Sequence, residues 1–557
     1  MAGQAPARGR GGRPSGGGRP TASDRPSGGD RPTGSDRPTG GDRPTGGDRP
    51  RGGDRPRGGG RPTGSDRPTG SDRSSGGTQT RPRGGQRSQR RDRTDPARRA
   101  ACDVLCAVAD RDAYANLLLP ATLDQRGLTG RDAALATELT YGTLRGLGTY
   151  DAVLAVCSDR ELATLESAVH QILRLGAHQL LATRIAPHAA VATSVDLVRD
   201  VVGPRPAGFV NAVLRRVAAR DLEGWLEIAA PRRAEDLEGH LAVRYSHPRW
   251  IVAALRDALS GDADETEAAL AADGERPAVT LCAVPGQAGA AELAAAGGAP
   301  ARWSPYGAYL SEGDPASVPA VAQGRAGIQD EASQLAAIAL TRVPVAGAQR
   351  RDGPRGGRWL DLCAGPGGKA RLLGGLAAQA GARLVAAEVR PHRARLVRSA
   401  LGSTAEGHTP GGSASVVVAD GTRPPWPAAS FDRVIADVPC SGLGALRRRP
   451  EARWRRSPES IAGLAGLQRR LLAAALDSVC HGGVVAYVTC SPHLAETRDV
   501  LTDVLADRGG IEVLDAPAVL REVPGLACPD PHRRYAQFWP HRHGTDAIFL
   551  ALLRRPA

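Results

Sequence analysis

Lysine is almost missing from this chain of 557 residues: one occurs, Lys369, and methionine is confined to Met1. Arginine carries nearly all of the 73 basic side chains, a bias we read as compositional, so a lone Lys inside a Gly-rich loop stands out. Paired cysteine motifs are missing too. The nine cysteines (Cys102, Cys106, Cys157, Cys282, Cys363, Cys440, Cys480, Cys490 and Cys528) form an odd set with no CxxC spacing and no His-rich partner cluster. That argues against a zinc site and against a secreted disulfide framework, and favours a reducing compartment. No run of about 18 apolar residues occurs, and the N-terminus lacks the apolar stretch of a signal peptide. A cytoplasmic protein, without membrane span or metal, is expected.

What is present is unevenly distributed. The formal net charge is +14, and residues 1–100 hold 23 Arg against 10 Asp, leaving close to neutrality for the remainder. Between Ser23 and Asp72 a six-residue unit of the form Asp-Arg-Pro-Thr-Gly-Gly recurs, with Asp24, Asp30, Asp36, Asp42, Asp48, Asp54, Asp66 and Asp72 in register. A unit without apolar side chains cannot repay the entropy of ordering, so residues 1–94 are expected to be a disordered arm. It is either a salt-sensitive RNA tether or a solubilising extension; composition alone does not choose.

From Asp95 to Asp221 apolar residues recur at helical spacing, as in Ala101, Val104, Leu105 and Val108. Further helices are expected over His170–Leu181, Ala190–Val202 and Phe209–Val217, with Thr129-Gly130 before a helix near Arg131 and Gly148 after one ending near Leu147. Without strand alternation, residues 95–221 read as an all-α bundle. Residues 222–322 read as a connector and small α+β subdomain, with a Trp250 helix and a strand over Ala278–Val284. From there to the end, residues 323–557, strands alternate with helices, the pattern of a parallel α/β sheet. Inserts at Ala346–Gly357 and Gly402–Ser413 interrupt it as solvent loops.

The chemistry is concentrated in that last region. Trp359 to Leu362 is an apolar strand running into Cys363-Ala364-Gly365-Pro366-Gly367-Gly368-Lys369, a turn that opens a helix at about Ala370. Such a turn lets backbone approach a nucleotide-like ligand at the carboxyl end of a strand. The next strand ends in Glu388, placed for ribose hydroxyls; the one after ends in Asp420, placed for an adenine amino group; the fourth ends in Asp437. Two thiols follow strands as well, Cys440 in Asp437-Val438-Pro439-Cys440-Ser441-Gly442 and Cys490 in Tyr487-Val488-Thr489-Cys490-Ser491. Carbon 5 of cytosine is too weak a nucleophile to take a methyl group directly. A thiolate adding to carbon 6 removes that obstacle, and an acid at ring N3, here Asp437, neutralises the charge that enters the ring.

Together these segments resemble the Fmu/Sun family of RNA cytosine-5 methyltransferases, in the motifs DLCAGPGGK, AAEV, ADGT, DVPCSG and YVTCS. The likeness runs from about Gly324 to Arg555, opening on Gly327-Ile328-Gln329-Asp330-Glu331-Ala332-Ser333 and closing on Gly544-Thr545-Asp546-Ala547-Ile548-Phe549. It implies that Cys490 is the nucleophile and that Cys440 aids product release. It also implies an S-adenosylmethionine site on Cys363, Ala364, Gly365, Pro366, Gly367, Gly368, Lys369, Glu388, Arg393, Asp420 and Asp437. DNA cytosine-5 methyltransferases use the PC-motif Cys instead, so two thiols favour RNA over DNA. Residues 95–221, with Phe209-Val210-Asn211-Ala212-Val213-Leu214-Arg215-Arg216, are similar to a NusB-like RNA-binding domain. The implied whole is multidomain: a disordered arm, an all-α NusB-like bundle and an α/β Rossmann-like class I S-adenosylmethionine-dependent methyltransferase domain. It would act as a monomer on RNA, 16S ribosomal RNA first, with transfer RNA as the nearer alternative and a non-catalytic NusB-like antitermination factor as the farther one. The chain departs from the family pattern at Gly365 and Val438, where Ala is usual, and at Glu496-Thr497, where a Glu-Asn pair is usual.

Overall fold

The computed structural model describes residues 94–346, 356–402, 413–526 and 534–556. The expected disordered arm, the centres of both expected solvent loops and Cys528 lie outside the described residues.

Seven helices form the N-terminal bundle: α1 (Pro96–Arg111), α2 (Ala115–Gln125), α3 (Gly130–Arg145), α4 (Leu147–Cys157), α5 (Ser167–Ala182), α6 (Pro187–Val201) and α7 (Ala207–Val217). The start of α1 follows from Asp95, whose carboxylate accepts from the Arg98 N–H at 2.9 Å, and from Pro96, which needs no N–H partner in the first turn. Its apolar stripe, Ala101, Val104, Leu105 and Val108, is buried against the other helices. One expectation needs correction. Gly148 does not follow a helix end; α3 stops at Arg145, Gly146 makes the break, and Gly148 lies in the first turn of α4. The reason is a close approach from elsewhere in the chain: a Cβ on Gly148 would lie 2.5 Å from the indole of Trp454.

Four helices continue, α8 (Leu222–Ala229), α9 (Leu237–Arg244), α10 (Arg249–Ala258) and α11 (Ala263–Asp273). A small sheet follows, built from β1 (Val279–Ala283), β2 (Gly298–Pro300), β3 (Gly307–Leu310) and β4 (Ala326–Ile328) in the antiparallel order β2-β3-β1-β4, with α12 (Ala290–Ala295) and α13 (Pro319–Ala322) between strands. Helix α14 (Glu331–Arg342) leads into the main sheet.

That sheet contains β5 (Arg358–Asp361), β6 (Arg383–Glu388), β7 (Ala414–Val418), β8 (Phe431–Asp437), β9 (Val479–Thr489), β10 (Glu512–Leu514), β11 (Ala536–Gln537) and β12 (Phe549–Arg554). Its order is β10-β12-β9-β8-β5-β6-β7, with β11 on β12. The five strands from β7 to β9 are parallel and β12 is antiparallel. Helices α15 (Gly368–Ala380), α16 (Pro391–Leu401), α17 (Pro458–Ser478) and α18 (Arg498–Ala506) cover it, with short α19 (Ala516–Val519) and α20 (Pro540–His543) near the end. Alternation along the strands divides two cores. Trp359, Ile435, Ala486 and Leu550 face α14, α15 and α16, while Leu360, Val434, Val485 and Ala551 face α17 and α18. Strand order reverses between β5 and β8, the crevice where open α/β sheets bind ligands. No helix among the described residues is long and apolar enough to cross a membrane.

The segment after Cys440 joins the two halves. Arg453, in a short 3-10 helix (Pro450–Trp454), is 0% exposed and donates to three carbonyls: Arg145 at 3.0 Å, Ser246 at 3.2 Å and Asp273 at 2.6 Å. These close α3, the turn before α10, and α11. Arg453→Ala would leave three acceptors buried and unpaired, so we predict a loss of about 3 kcal/mol in denaturant unfolding. A change within about 0.5 kcal/mol would show that the clamp is not structural.

Candidate active site

The Gly-rich turn is pinned over its neighbours before any ligand is considered. Leu362 N–H donates to Ile435 O at 2.9 Å and Ala364 N–H to Ala387 O at 2.8 Å, so the loop crosses the ends of β8 and β6. Gly365 approaches Glu388 so closely that a Cβ would lie 2.0 Å from Oε2, so any larger residue at this position would displace that carboxylate. Gly367 has φ +117°, open to Gly at no cost, and a Cβ there would meet Ala400 at 2.5 Å. Helix α15 starts at Gly368, two residues before the expected Ala370.

Glu388 is buried at the end of β6, where Oε1 accepts from the Arg390 N–H at 2.9 Å. Arg393 reaches it from α16 at 3.7 Å and donates to Gly365 O. Asp420 is exposed beyond β7, its Oδ1 held by the Thr422 N–H and hydroxyl at 2.9 and 2.8 Å, which keep the carboxyl below its usual range. Between these carboxylates, Val389 and Val418 leave more than half of their surface in water. Cys363 is not a free thiol face: burial, followed by the charge of Asp361, pushes it well above its ordinary value.

Asp437 and the two candidate thiols converge where β8 and β9 end side by side. Asp437 pairs in register with Val488, so the Cys440 and Cys490 loops leave the sheet together and bring their Sγ atoms to 3.1 Å. Contact with Cys490, then burial, raises the Cys440 thiol well above its ordinary value. Lys369, 8% exposed, donates from Nζ to Asp437 Oδ2 at 3.0 Å. Burial by itself would lower its ammonium, but Asp437, with Cys490 and Asp361 nearby, raises it instead. The lone lysine therefore faces the acid and a thiol, a role the sequence reading did not assign to it.

Two more groups were missed. Glu496, fully buried, accepts from the Ser441 N–H at 2.8 Å, from the Ser441 hydroxyl and from Gln468 Nε2 at 3.0 Å; Gln468 also donates to Pro439 O at 2.9 Å. The residues on either side of Cys440 are thus tied to the segment that follows Cys490. The signal lay in α17, where polar Gln468 occupies the buried stripe of Ile461, Ala465, Leu472 and Ala475. Asp361, at the end of β5, is 0% exposed, and no side chain of the described residues bonds either of its oxygens. Burial, then the charge of Asp437, pushes it up to about 8.

Fold and site define a class: a Rossmann-like methyltransferase domain carried with a NusB-type helical domain. The family model described as 16S rRNA methyltransferase RsmB/F matches residues 352–554, and the NusB family model matches residues 95–219. The chain is 50% identical over 470 residues to the putative methyltransferase Rv1407 of Mycobacterium tuberculosis (strain ATCC 25618 / H37Rv), covering 84% of this chain and 98% of that protein. It is 32% identical over 465 residues to the ribosomal RNA small subunit methyltransferase B of Pseudomonas syringae pv. tomato (strain ATCC BAA-871 / DC3000), covering 82% and 96%. Its fold matches the crystal structure of PH0851 with TM-score 0.66 at 20% identity, over 83% of this chain and 99% of that one. The chain belongs to the RsmB/F methyltransferase family.

The family's methyl donor is S-adenosylmethionine, and the residues present fit it. The loop and Glu388 form a cradle that a Cβ would fill, apolar Val389 and Val418 stand exposed beside it, and the unpaired buried carboxylate of Asp361 suits a cationic ligand.

Asp361 also makes a pH prediction. A carboxyl raised above the unfolded value of about 3.9 contributes stability that is complete below that pH and lost as pH rises through about 8. Without cofactor, Asp361→Asn should therefore gain on the order of 3 kcal/mol over the parent between pH 5 and pH 8. Parallel stability profiles for the two proteins would contradict this.

Proposed function

We propose that this chain transfers a methyl group from S-adenosylmethionine to carbon 5 of a cytosine in RNA, with 16S ribosomal RNA as the substrate and Cys490 as the nucleophile. The observation that carries the reading is the pair of thiols, 3.1 Å apart, beside the Lys369–Asp437 ion pair. We take residues 95–221 as the RNA-binding helical domain, 222–322 as the connector and 323–557 as the catalytic domain, acting as a cytoplasmic monomer. The expected cofactor contacts are Cys363 to Lys369, Glu388, Arg393, Asp420 and Asp437.

S-adenosylmethionine supplies an electrophilic methyl group on a sulfonium. The protein's task is to make carbon 5 nucleophilic. Cys490 gives up its thiol proton to a base and its Sγ bonds to carbon 6, and the ring's electrons move towards N3, where Asp437 delivers a proton. That proton is held beforehand on Lys369 Nζ, 3.0 Å from Asp437, so the acid does not rely on Asp437 alone. Once carbon 5 carries the methyl group, loss of its proton to a base, cleavage of the Sγ–carbon 6 bond and return of the N3 proton to Asp437 restore the aromatic ring. Cys440, kept protonated by its contact with Cys490 and then by burial, is the donor that meets the departing sulfur. Glu496 and Gln468 hold the backbone around Cys440 so that this distance is set before RNA arrives.

With methyl-labelled cofactor and RNA from cells lacking the enzyme, the expected product is 5-methylcytidine in 16S RNA. Label in transfer RNA would move the substrate, and no label would leave a binding protein. Cys490→Ala should reduce transfer by about a thousandfold or more while cofactor affinity persists; surviving transfer would remove the nucleophile assignment. Cys440→Ala should accumulate a denaturant-resistant enzyme–RNA adduct, seen as a shifted band in gels. Glu496→Gln should slow turnover by about tenfold to a hundredfold with cofactor affinity unchanged, and wild-type turnover in that variant would refute the positioning role.

A further inference from the structure

Nineteen aromatic side chains occur in the chain, 7 Trp, 8 Tyr and 4 Phe. Among the described residues two of them are left exposed, Tyr114 at 44% and Trp454 at 39%, and both lie where the segment after Cys440 meets the helical bundle. Trp454 rests the benzo edge of its indole on the backbone of Gly148, which has no Cβ to hold it off. Its indole N–H donates to none of the described residues. Tyr114 has two guanidinium groups over its ring, Arg455 at 5.0 Å and Arg449 at 5.8 Å. Arg449 is exposed and has no carboxylate within ion-pair distance among the described residues. Arg455 is half-buried, donates to Val108 O at 3.2 Å and to Ala113 O, and has Asp112 at 3.9 Å.

A buried aromatic gains the free energy of burial, and these two do not collect all of it. Partly exposed rings with arginines beside them match the chemistry of a single-stranded nucleic acid: aromatic surface for bases and cations for phosphates. The seam is also continuous with the reactive loop. Arg456 Nε donates to Ser441 O at 3.0 Å, so Trp454 is two residues from a side chain that touches the residue after Cys440. A double helix does not offer its base faces, so the surface suits unpaired nucleotides.

We propose that Trp454 and Tyr114, with Arg449, form a stacking shelf for single-stranded RNA flanking the target nucleotide. This rests on the RNA reading given above. The shelf binds by stacking and charge, without base-specific hydrogen bonds, and holds the strand so that one nucleotide reaches the thiols.

The test measures binding of a short, unstructured, fluorescently labelled RNA to the full chain, alongside methyl transfer to 16S RNA. Trp454→Ala should weaken single-strand affinity about tenfold, the worth of one stacked base, and raise the KM for RNA by a similar factor with kcat nearly unchanged. Trp454→Phe should recover most of the affinity. Cofactor affinity and melting temperature report whether the fold survives, and Tyr114→Ala and Arg449→Ala give independent readings if Trp454→Ala does not fold. Single-strand affinities equal to wild type in the folded variants would overturn the shelf, as would a loss confined to duplex RNA. A wild-type chain that binds the single strand through Trp454 yet methylates no RNA would leave the shelf standing and remove the function proposed above. Normal methylation with unchanged affinity and KM in Trp454→Ala would do the reverse.

Discussion

The meeting of the two candidate thiols depends on the pairing of β8 with β9. Parallel strands in register deliver their carboxyl ends at one level, and Asp437 opposite Val488 sets where each loop departs. A thiol three residues after Asp437 and another two residues after Val488 then meet at 3.1 Å. Slipping the pair by one residue would exchange the two faces of β9, turning Val485 and Tyr487 towards the side that now takes Val484, Ala486 and Val488. The burial of both faces by helices makes that exchange costly. Register is therefore protected by the core rather than by the site, which frees the site to hold polar and charged groups.

Those groups are balanced locally. Lys369 meets Asp437, and Asp361, behind them, has no side-chain partner and is held towards its neutral form. A second buried group sits on the other side of the Cys440 loop, where Arg447 and Arg448 each bridge Asp330 and Asp546 at 2.8 to 3.2 Å. Asp330 also accepts from the Ala332 N–H at the start of α14. Asp546, raised to about 6 by burial and by Asp330, depends on these arginines to stay charged. Buried pairs of this kind add little net stability, because desolvation offsets much of the attraction. Their effect is geometric: segments about two hundred residues apart in sequence are fixed to the same loop.

Strand ends were the most legible part of the chain. Glu388 and Asp437 terminate β6 and β8 as their apolar runs imply, and helix periodicity located the buried stripe of α1, because periodicity records burial directly. Gly148 was misread because a glycine signals both a helix end and a close approach, and its reason is Trp454, some three hundred residues later. Lys369 was placed with the cofactor turn by its position; its ammonium bond to Asp437 is a further contact that position did not indicate. Glu496 was visible only as part of a departure from a family pattern, and its three hydrogen bonds are long-range. Local sequence encodes which face of an element is buried. It does not encode which buried polar group another element will bring to it.

The Cys440 loop shows what such long-range contacts accomplish together. Pro439 and Ser441 on either side of Cys440 are held by Gln468 and Glu496, Cys440 itself touches Cys490, and the continuation is fixed first by Asp330 and Asp546 and then by the carbonyls that Arg453 closes. Each anchor comes from a different part of the fold. A loop tethered at so many points loses hydrogen bonds when any part of it shifts, so the segment that carries Cys440 is held to the helical bundle through covalent chain and buried arginine alike. The bundle is in this sense tied to the candidate site through Arg453, which lies on the same continuous segment as Cys440 and closes the last carbonyl of α3.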